Sequence, residues 1–98
     1  MAAVEVIWLD ARQTISFSEL IELSGLEEVD LRELVESGVI TPVDAQSWRF
    51  SAECLSVART AHRLQSDLDL DIHGLALVLM LMERIRELEL ELKAIRRK

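Results

Sequence analysis

The chain has 98 residues, of which 50% are hydrophobic and 30% are charged, a composition that fits one small folded domain and excludes a disordered segment. Its net charge of −7 is the opposite of the basic balance that a free-standing nucleic-acid binder normally carries. Three glycines and one proline are too few for an all-β protein, so we expect a mostly helical fold.

The cysteine content and the apolar runs bear on location. One cysteine, Cys54, can build neither a disulfide framework nor a zinc site. The longest apolar run, Leu75–Met82, is far shorter than the roughly 20 residues that span a bilayer. No basic-then-apolar signal stands at the N-terminus. We therefore expect a cytoplasmic protein.

The first quarter of the chain predicts a strand and a helix. Residues Val4–Leu9 are β-branched and aromatic, which is typical of a short strand. Ser16 and Glu19 have the spacing of a capping box, in which the serine oxygen caps a backbone N–H and the glutamate reaches back. A first helix should follow over about Phe17–Leu23.

A second short helix is expected over about Glu28–Ser37. A tight turn, Ser24–Glu27, precedes it and repeats the capping pattern between its first and last residues. Gly38 follows where a glycine in the left-handed region commonly ends a helix. Two short helices joined by a glycine turn predict a helix-turn-helix unit.

The middle of the chain indicates a winged form of this unit. Residues Val43–Ser47 form a polar loop, and Trp48–Phe50 has the character of a strand that returns from a wing. Ser51 should cap a third helix over about Ala52–Gln65. We expect Ser66–Asp71 to be a turn whose leucines pack under the domain.

The last third of the chain predicts one long helix, capped by Asp71 and running from Ile72 to the C-terminus. Its apolar residues follow a heptad pattern on an otherwise charged helix, which favours pairing with the same helix of a second copy. The charged residues beside this apolar stripe suit a parallel and an antiparallel pair of helices equally well. The predicted dimer interface consists of Val78, Leu81, Ile85, Leu88, Leu92 and Ile95.

The charge of the helix-turn-helix unit argues against DNA as its ligand. Between Ser16 and Pro42 there is one base, Arg32, against seven acids, a net charge of −6, and the wing adds only Arg49. Acids near a phosphate backbone oppose the counterion release that drives DNA binding. An acidic surface instead suits a basic protein surface. The alternative is that these glutamates serve only solubility.

No catalytic or metal-binding pattern is present in the sequence. There is no glycine-rich phosphate loop, no His-x-x-x-His, no pair of cysteines and no Gly-x-Ser-x-Gly. We interpret His62 as a partly buried structural histidine, His73 as a surface residue and Cys54 as a small core side chain. The sequence predicts no enzyme, no cofactor and no metal.

Two stretches, Gly38–Pro42 and Trp48–Phe50, resemble the end of the recognition helix and the wing of MerR-like winged helix-turn-helix regulators. Those proteins normally carry aromatic and basic residues before the glycine and an arginine soon after the proline. Here the corresponding segments, Arg32–Ser37 and Val43–Asp44, have mostly lost that pattern.

The chain from Ser16 to Arg97 is also similar to the CbpM-like chaperone-modulator family. The most specific part is Arg63–Met82, with its Asp-Leu-Asp-Leu-Asp turn, followed by the charged tail. The resemblance implies a small bacterial protein, dimeric through its C-terminal helices, that binds the J-domain of a DnaJ-like co-chaperone of the CbpA type. Such proteins block the stimulation of Hsp70 and restrain the DNA binding of the co-chaperone, which could also bring them to the nucleoid.

These interpretations give one prediction of fold and site. We expect a mainly α protein with a MerR-like winged helix-turn-helix over residues 1–66, and a turn with a long dimerisation helix over residues 67–98. The runner-up function is that of a dimeric, DNA-binding MerR-like regulator, and a third interpretation is a structural dimerisation adaptor for another protein. The acids predicted to contact the partner are Glu27, Glu28, Asp30, Glu33 and Glu36, with Asp67, Asp69 and Asp71 as a second patch.

Overall fold

A computed structural model of the chain describes residues 13–97, and the predicted strand Val4–Leu9 lies outside this part. The described part contains four helices and a two-stranded sheet. Their bounds in chain order are β1 Ile15–Ser16, α1 Phe17–Ser24, α2 Glu28–Glu36, β2 Arg49–Phe50, α3 Ala52–Leu68 and α4 Ile72–Arg96. The predicted mainly α fold is confirmed.

Local capping fixes where three of the helices begin. The Ser16 hydroxyl accepts from the Glu19 amide, and the Glu19 carboxylate accepts from the Ser16 amide, so the predicted capping box is present. Ser51 caps α3 through the Cys54 amide, and Asp71 caps α4 through the Gly74 amide at 2.8 Å. Each of these three caps was predicted.

The prediction that Ser24 and Glu27 cap the second helix is wrong. The Ser24 hydroxyl donates to the carbonyl of Ile21 and accepts from the amide of Leu26, so it closes the turn after α1. Glu27 is the N-cap residue of α2 and makes no side-chain capping bond. Gly25 in this turn has a φ of 86°, which explains why the position needs glycine.

The wing is a tight hairpin that returns to the start of the domain. The Val43 amide donates to the carbonyl of Arg49 at 2.8 Å, and Asp44 pairs with Arg49 in an isolated bridge. β2 then pairs antiparallel with β1, so that Ile15 lies opposite Phe50. The sheet therefore ties the wing to the residues that precede α1.

One carboxylate holds the turn of the wing together. The Asp44 side chain accepts from the amides of Gln46 and Ser47, and these hydrogen bonds, those of Ser47 foremost, lower its pKa. Trp48, the last residue of the turn, has a φ of 49°. A tryptophan with its backbone in the left-handed region is uncommon. The hairpin and the contacts of the Trp48 ring with Phe17 and Phe50 hold it in that conformation.

α3 is longer than the sequence predicts. It continues past Gln65 to Leu68 and ends at Asp69 in the left-handed conformation, so the turn to α4 contains only Asp69–Asp71. Leu70 packs against the core as expected, whereas Leu68 is 58% exposed. The prediction that both leucines lie under the domain is thus half right.

The core lies where α1, α2, α3 and the first turns of α4 meet. Its largest fully buried side chains are Phe50, Leu20, Leu31, Leu34, Ile40 and Leu75. Leu79 is the last buried residue of α4, and beyond it the helix leaves the domain with every described side chain exposed. Cys54 is buried as predicted, with its thiol on the Thr41 carbonyl.

Candidate functional site

The exposed face of α2 carries most of the candidate acids. Leu31 and Leu34 turn the opposite face into the core, and their helical spacing leaves the other positions outside. Glu27, Glu28 and Glu36 are exposed, and Asp30 and Glu33 are half-buried. The fold therefore presents the acids of this helix at the surface, where the partner-binding hypothesis needs them.

Two contacts link α2 to the ends of the segment that carries the second predicted patch. The Gln65 side chain donates to Asp30 at 3.0 Å, and His73 lies 4.0 Å from Glu33. Gln65 comes just before the segment Asp67–Asp71 and His73 just after it. Asp67 itself lies about 200° around α3 from Gln65 and therefore faces away from Asp30.

The three aspartates of the segment Asp67–Asp71 do different work. Asp71 uses one carboxylate oxygen to cap α4, and Asp69 ends α3. Asp67 lies in the last turn of α3. All three residues are exposed.

The single base of the helix-turn-helix unit is held by its own chain. The Arg32 guanidinium carbon lies 5.1 Å from the centre of the Phe17 ring and 5.4 Å from that of Trp48. The same guanidinium donates to Glu28 at 2.9 Å. Phe17 and Trp48 meet edge to face at 4.8 Å. Arg32 thus completes an aromatic cluster that joins α1, α2 and the wing.

The base of the wing is also engaged. Arg49 donates from Nε to the Thr14 hydroxyl at 3.1 Å and from its guanidinium to the Thr14 carbonyl at 2.8 Å. Both contacts hold the residues before β1 against β2. Arg49 is thus half-buried and engaged, whereas the Arg32 side chain remains 47% exposed while it contacts Glu28 and the two rings.

The six residues of the predicted dimer interface, called the seam from here on, lie along one side of α4. The exposed fractions are 55% for Leu81, 56% for Ile85, 46% for Leu88, 48% for Leu92 and 69% for Ile95, and Val78 is half-buried. At 100° per residue the seam faces away from Leu75 and Leu79, which pack on the domain. The helix can therefore meet a second chain without leaving its own domain.

A cleft of about 760 Å³ opens where α4 leaves the domain. Its walls include Gly38 and Val39 after α2, Val57 and Thr60 of α3, and Met80 of α4. The cleft is open to solvent, and charged side chains of α4 line its outer part. It contains no arrangement of nucleophile and base that would indicate catalysis.

Both histidines lie at the surface of the domain. His73 is exposed as predicted, but His62 is also exposed, so its assignment as a partly buried histidine is wrong. Within residues 13–97, no three His, Cys, Asp or Glu side chains are grouped so that they could hold a metal ion. No helix of that same part is long and apolar enough to cross a membrane.

The helix pair, the wing that returns to β1 and the long final helix together define a winged helix-turn-helix protein. The model of a family described as MerR HTH family regulatory proteins matches residues 15–97. The chain belongs to this family. No curated protein matches the chain.

Sequence reasoning missed two features of the surface. The contact of Arg32 with Phe17 and Trp48 joins residues 15 and 16 positions apart, so no local pattern announces it. Leu77 and Met80 are 58% and 53% exposed and lie outside the predicted seam. The sequence did indicate that apolar residues lie outside the seam, because the segment from Gly74 to Met82 is apolar on all sides of the helix.

Proposed function

We propose that the protein is a chaperone modulator that binds the J-domain of a DnaJ-like co-chaperone. In this role it inhibits the stimulation of Hsp70 by the co-chaperone and the DNA binding of the co-chaperone. It acts by binding rather than by catalysis, in the cytoplasm and as a homodimer. The proposal combines membership of a family of regulatory proteins with the CbpM-like sequence features and the charge of the surface.

One observation carries the proposal. Between Ser16 and Pro42 the helix-turn-helix unit has seven acids against one base, and most of these acids are exposed. Arg32 is bound by Glu28 and two aromatic rings, and Arg49 is bound by Thr14. Arg32 remains 47% exposed, but Glu28 offsets its charge, so the surface as a whole is negative. A negative surface suits a basic protein surface better than a phosphate backbone.

The resemblance to CbpM-like proteins implies a J-domain as the partner. A J-domain presents a basic helix to Hsp70, and this helix suits an acidic surface. Complementary potentials raise the rate of encounter and reject partners of the wrong sign. The exposed face of α2 offers several carboxylates, and the segment Asp67–Asp71 adds further exposed ones. Binding of the basic helix there would cover the surface that the co-chaperone offers to Hsp70.

Dimerisation through α4 is the second part of the proposal. The six seam residues are exposed by about half on average, so pairing would bury about half of each side chain. At about 1.5 kcal/mol for each full burial, the pair gains about 9 kcal/mol. Association costs about 4–15 kcal/mol. The two figures are of the same order, so we expect a reversible dimer whose population depends on concentration.

The test is a calorimetric titration of this protein with the isolated J-domain of the CbpA-like co-chaperone of the same organism. The titration is repeated at low and at physiological salt. Saturable binding that weakens with salt is the expected result, because surface charges are screened over about 10 Å at 0.1 M salt. Absence of binding at both salt concentrations would refute the proposal.

The description of the matched family favours a second candidate, a MerR-like dimeric regulator that binds DNA. A protein with this function would bind duplex DNA at low salt, and its affinity for DNA would fall steeply as the salt concentration rises. The J-domain modulator would flow through a heparin or DNA column even at low salt, because the net charge is −7. The column experiment therefore separates the two candidates.

A further inference from the structure

The large exposed apolar side chains of α4 outside its heptad seam are Leu77, Met80, Met82 and Leu90. The first two share a helical face with His73. Leu77 and Met80 expose 58% and 53% of their surface, as much as the seam residues themselves. In the heptad that places Val78 at position a, Met80 takes the outer position c and Leu77 the flanking position g. A two-helix pair would leave Met80 in water and would cover Leu77 only at its edge.

This flank of α4 lies beside α2. His73 is four residues before Leu77 on the same face of α4, and its ring lies 4.0 Å from the Glu33 carboxylate. Further along, Met80 borders the same cleft as Gly38 and Val39, which come after Ser37 at the end of α2. Leu77 lies between these two points on the same face of α4.

The neighbouring face of α2 also combines an apolar side chain with acids. Val29 is 76% exposed, the highest value among the large hydrophobic residues of the described part, 13–97. Glu33 stands four residues after it and Glu36 seven residues after it, so the three share one helical face. The exposed apolar groups of α2 and α4 are thus separated by carboxylates.

We propose that this α2–α4 surface, formed by Val29, Glu33, Glu36, His73, Leu77 and Met80, docks one amphipathic basic helix of the partner. The inference rests on the proposed function and names the contact surface for it. The occupant follows from charge complementarity, because carboxylates beside exposed apolar groups match a helix with lysines or arginines beside an apolar stripe. Leu77 and Met80 supply the buried contacts, and the glutamates orient the helix.

The combination of carboxylates and apolar groups predicts how the affinity for the J-domain depends on salt. Charges at the rim of an interface change the rate of association and its salt dependence, whereas buried apolar anchors change the rate of dissociation. Part of the affinity for the J-domain should therefore survive at high salt. A contact made only by the acids would lose nearly all of its affinity there.

The test compares the double variant Leu77→Gln with Met80→Gln, the single variant Met80→Gln and the control Leu90→Gln. Leu90 is 62% exposed on α4 and lies away from both the seam and α2. Glutamine has a good helix propensity, so all three variants should keep the helix content of the parent. The isolated J-domain is titrated into each variant, and sedimentation measures the dimer of each.

The expected result is a J-domain affinity about tenfold lower for the double variant and a smaller loss for Met80→Gln, with no change for Leu90→Gln. Sedimentation should show the same dimer in all of them. If the parent binds the J-domain and the double variant binds equally well, this inference is overturned and the proposed function stands. If the double variant loses its dimer, the flank belongs to the pairing of two copies and the inference is likewise overturned. If the parent does not bind the J-domain at all, the proposed function fails first.

Discussion

The guanidinium of Arg32 lies 5.4 Å from the centre of the Trp48 ring and joins the helix-turn-helix unit to its wing. A second ring, Phe17, lies 5.1 Å from the same group. The single base between Ser16 and Pro42 thus stabilises the contact between α1, α2 and the wing. This arrangement has consequences that can be measured.

Replacement of Arg32 by alanine should lower the free energy of unfolding by about 1 kcal/mol, because it removes the cation–π contacts and the pair with Glu28. Urea unfolding followed by tryptophan fluorescence measures the loss. The control is Arg63→Ala, an exposed arginine on α3. J-domain affinity should not fall in the Arg32 variant. A tenfold fall would show that Arg32 itself meets the partner.

Charge reversal on α2 should weaken the J-domain complex. We expect the double variant Glu33→Lys with Glu36→Lys to lose about tenfold or more in affinity, because two attractive charges become repulsive. Calorimetric titration at low salt measures the effect. The matched control, Glu22→Lys with Glu53→Lys, changes the net charge equally on exposed positions of α1 and α3. Equal losses in both variants would mean that only net charge matters.

The seam should be sensitive to a buried charge. Leu88→Glu places a carboxylate in the middle of the proposed pair and should shift the protein to the monomer at micromolar concentrations, because an unpaired charge is costly to bury. Analytical ultracentrifugation across a range of concentrations reports the change. Leu90→Glu puts the same charge on the far side of α4 and should leave the dimer intact. A dimer that survives Leu88→Glu would have to use another surface.

The capping box at the start of α1 should contribute measurably to stability. Ser16→Ala removes the acceptor of the Glu19 amide, and we expect a loss of about 1 kcal/mol in the free energy of unfolding. Ser18→Ala, at an exposed position of the same helix, is the control and should change stability by a few tenths of a kcal/mol at most. Denaturant titration of both variants gives the comparison.

Two carboxylates should make the stability depend on acid pH. Backbone and side-chain hydrogen bonds with Ser16 lower the pKa of Glu19, and those with Ser47 and Gln46 lower the pKa of Asp44. A pKa lowered by folding stabilises the folded state above the pKa of the unfolded chain, and this contribution is lost as pH falls through the folded value. Thermal unfolding at a series of pH values below about 5 should show a decline that is smaller in Asp44→Asn. An identical decline in that variant would contradict the assignment.

Much of the local structure could be predicted from the sequence because the signals act within a few residues. The hydroxyls of Ser16 and Ser51 and the carboxylate of Asp71 cap helices through amides three residues away. Gly38 has a φ of 85° after α2, a conformation that favours glycine over other residues. The spacing of the apolar residues, read in the same way, correctly gave a long α4 with an exposed stripe.

Only the tertiary structure decided which polar groups meet across the domain. Asp30 meets Gln65 and Arg49 meets Thr14, and each pair is separated by 35 positions in the chain. The same long-range packing brings His73 beside Glu33 and places the Arg32 guanidinium over the Trp48 ring. The physical reason is that caps and helical periodicity depend on near neighbours, whereas the contacts of charged side chains depend on how the helices pack. The sequence by itself determined the helices and the charge of this protein, and the packing of the helices decided which charges remain available to a partner.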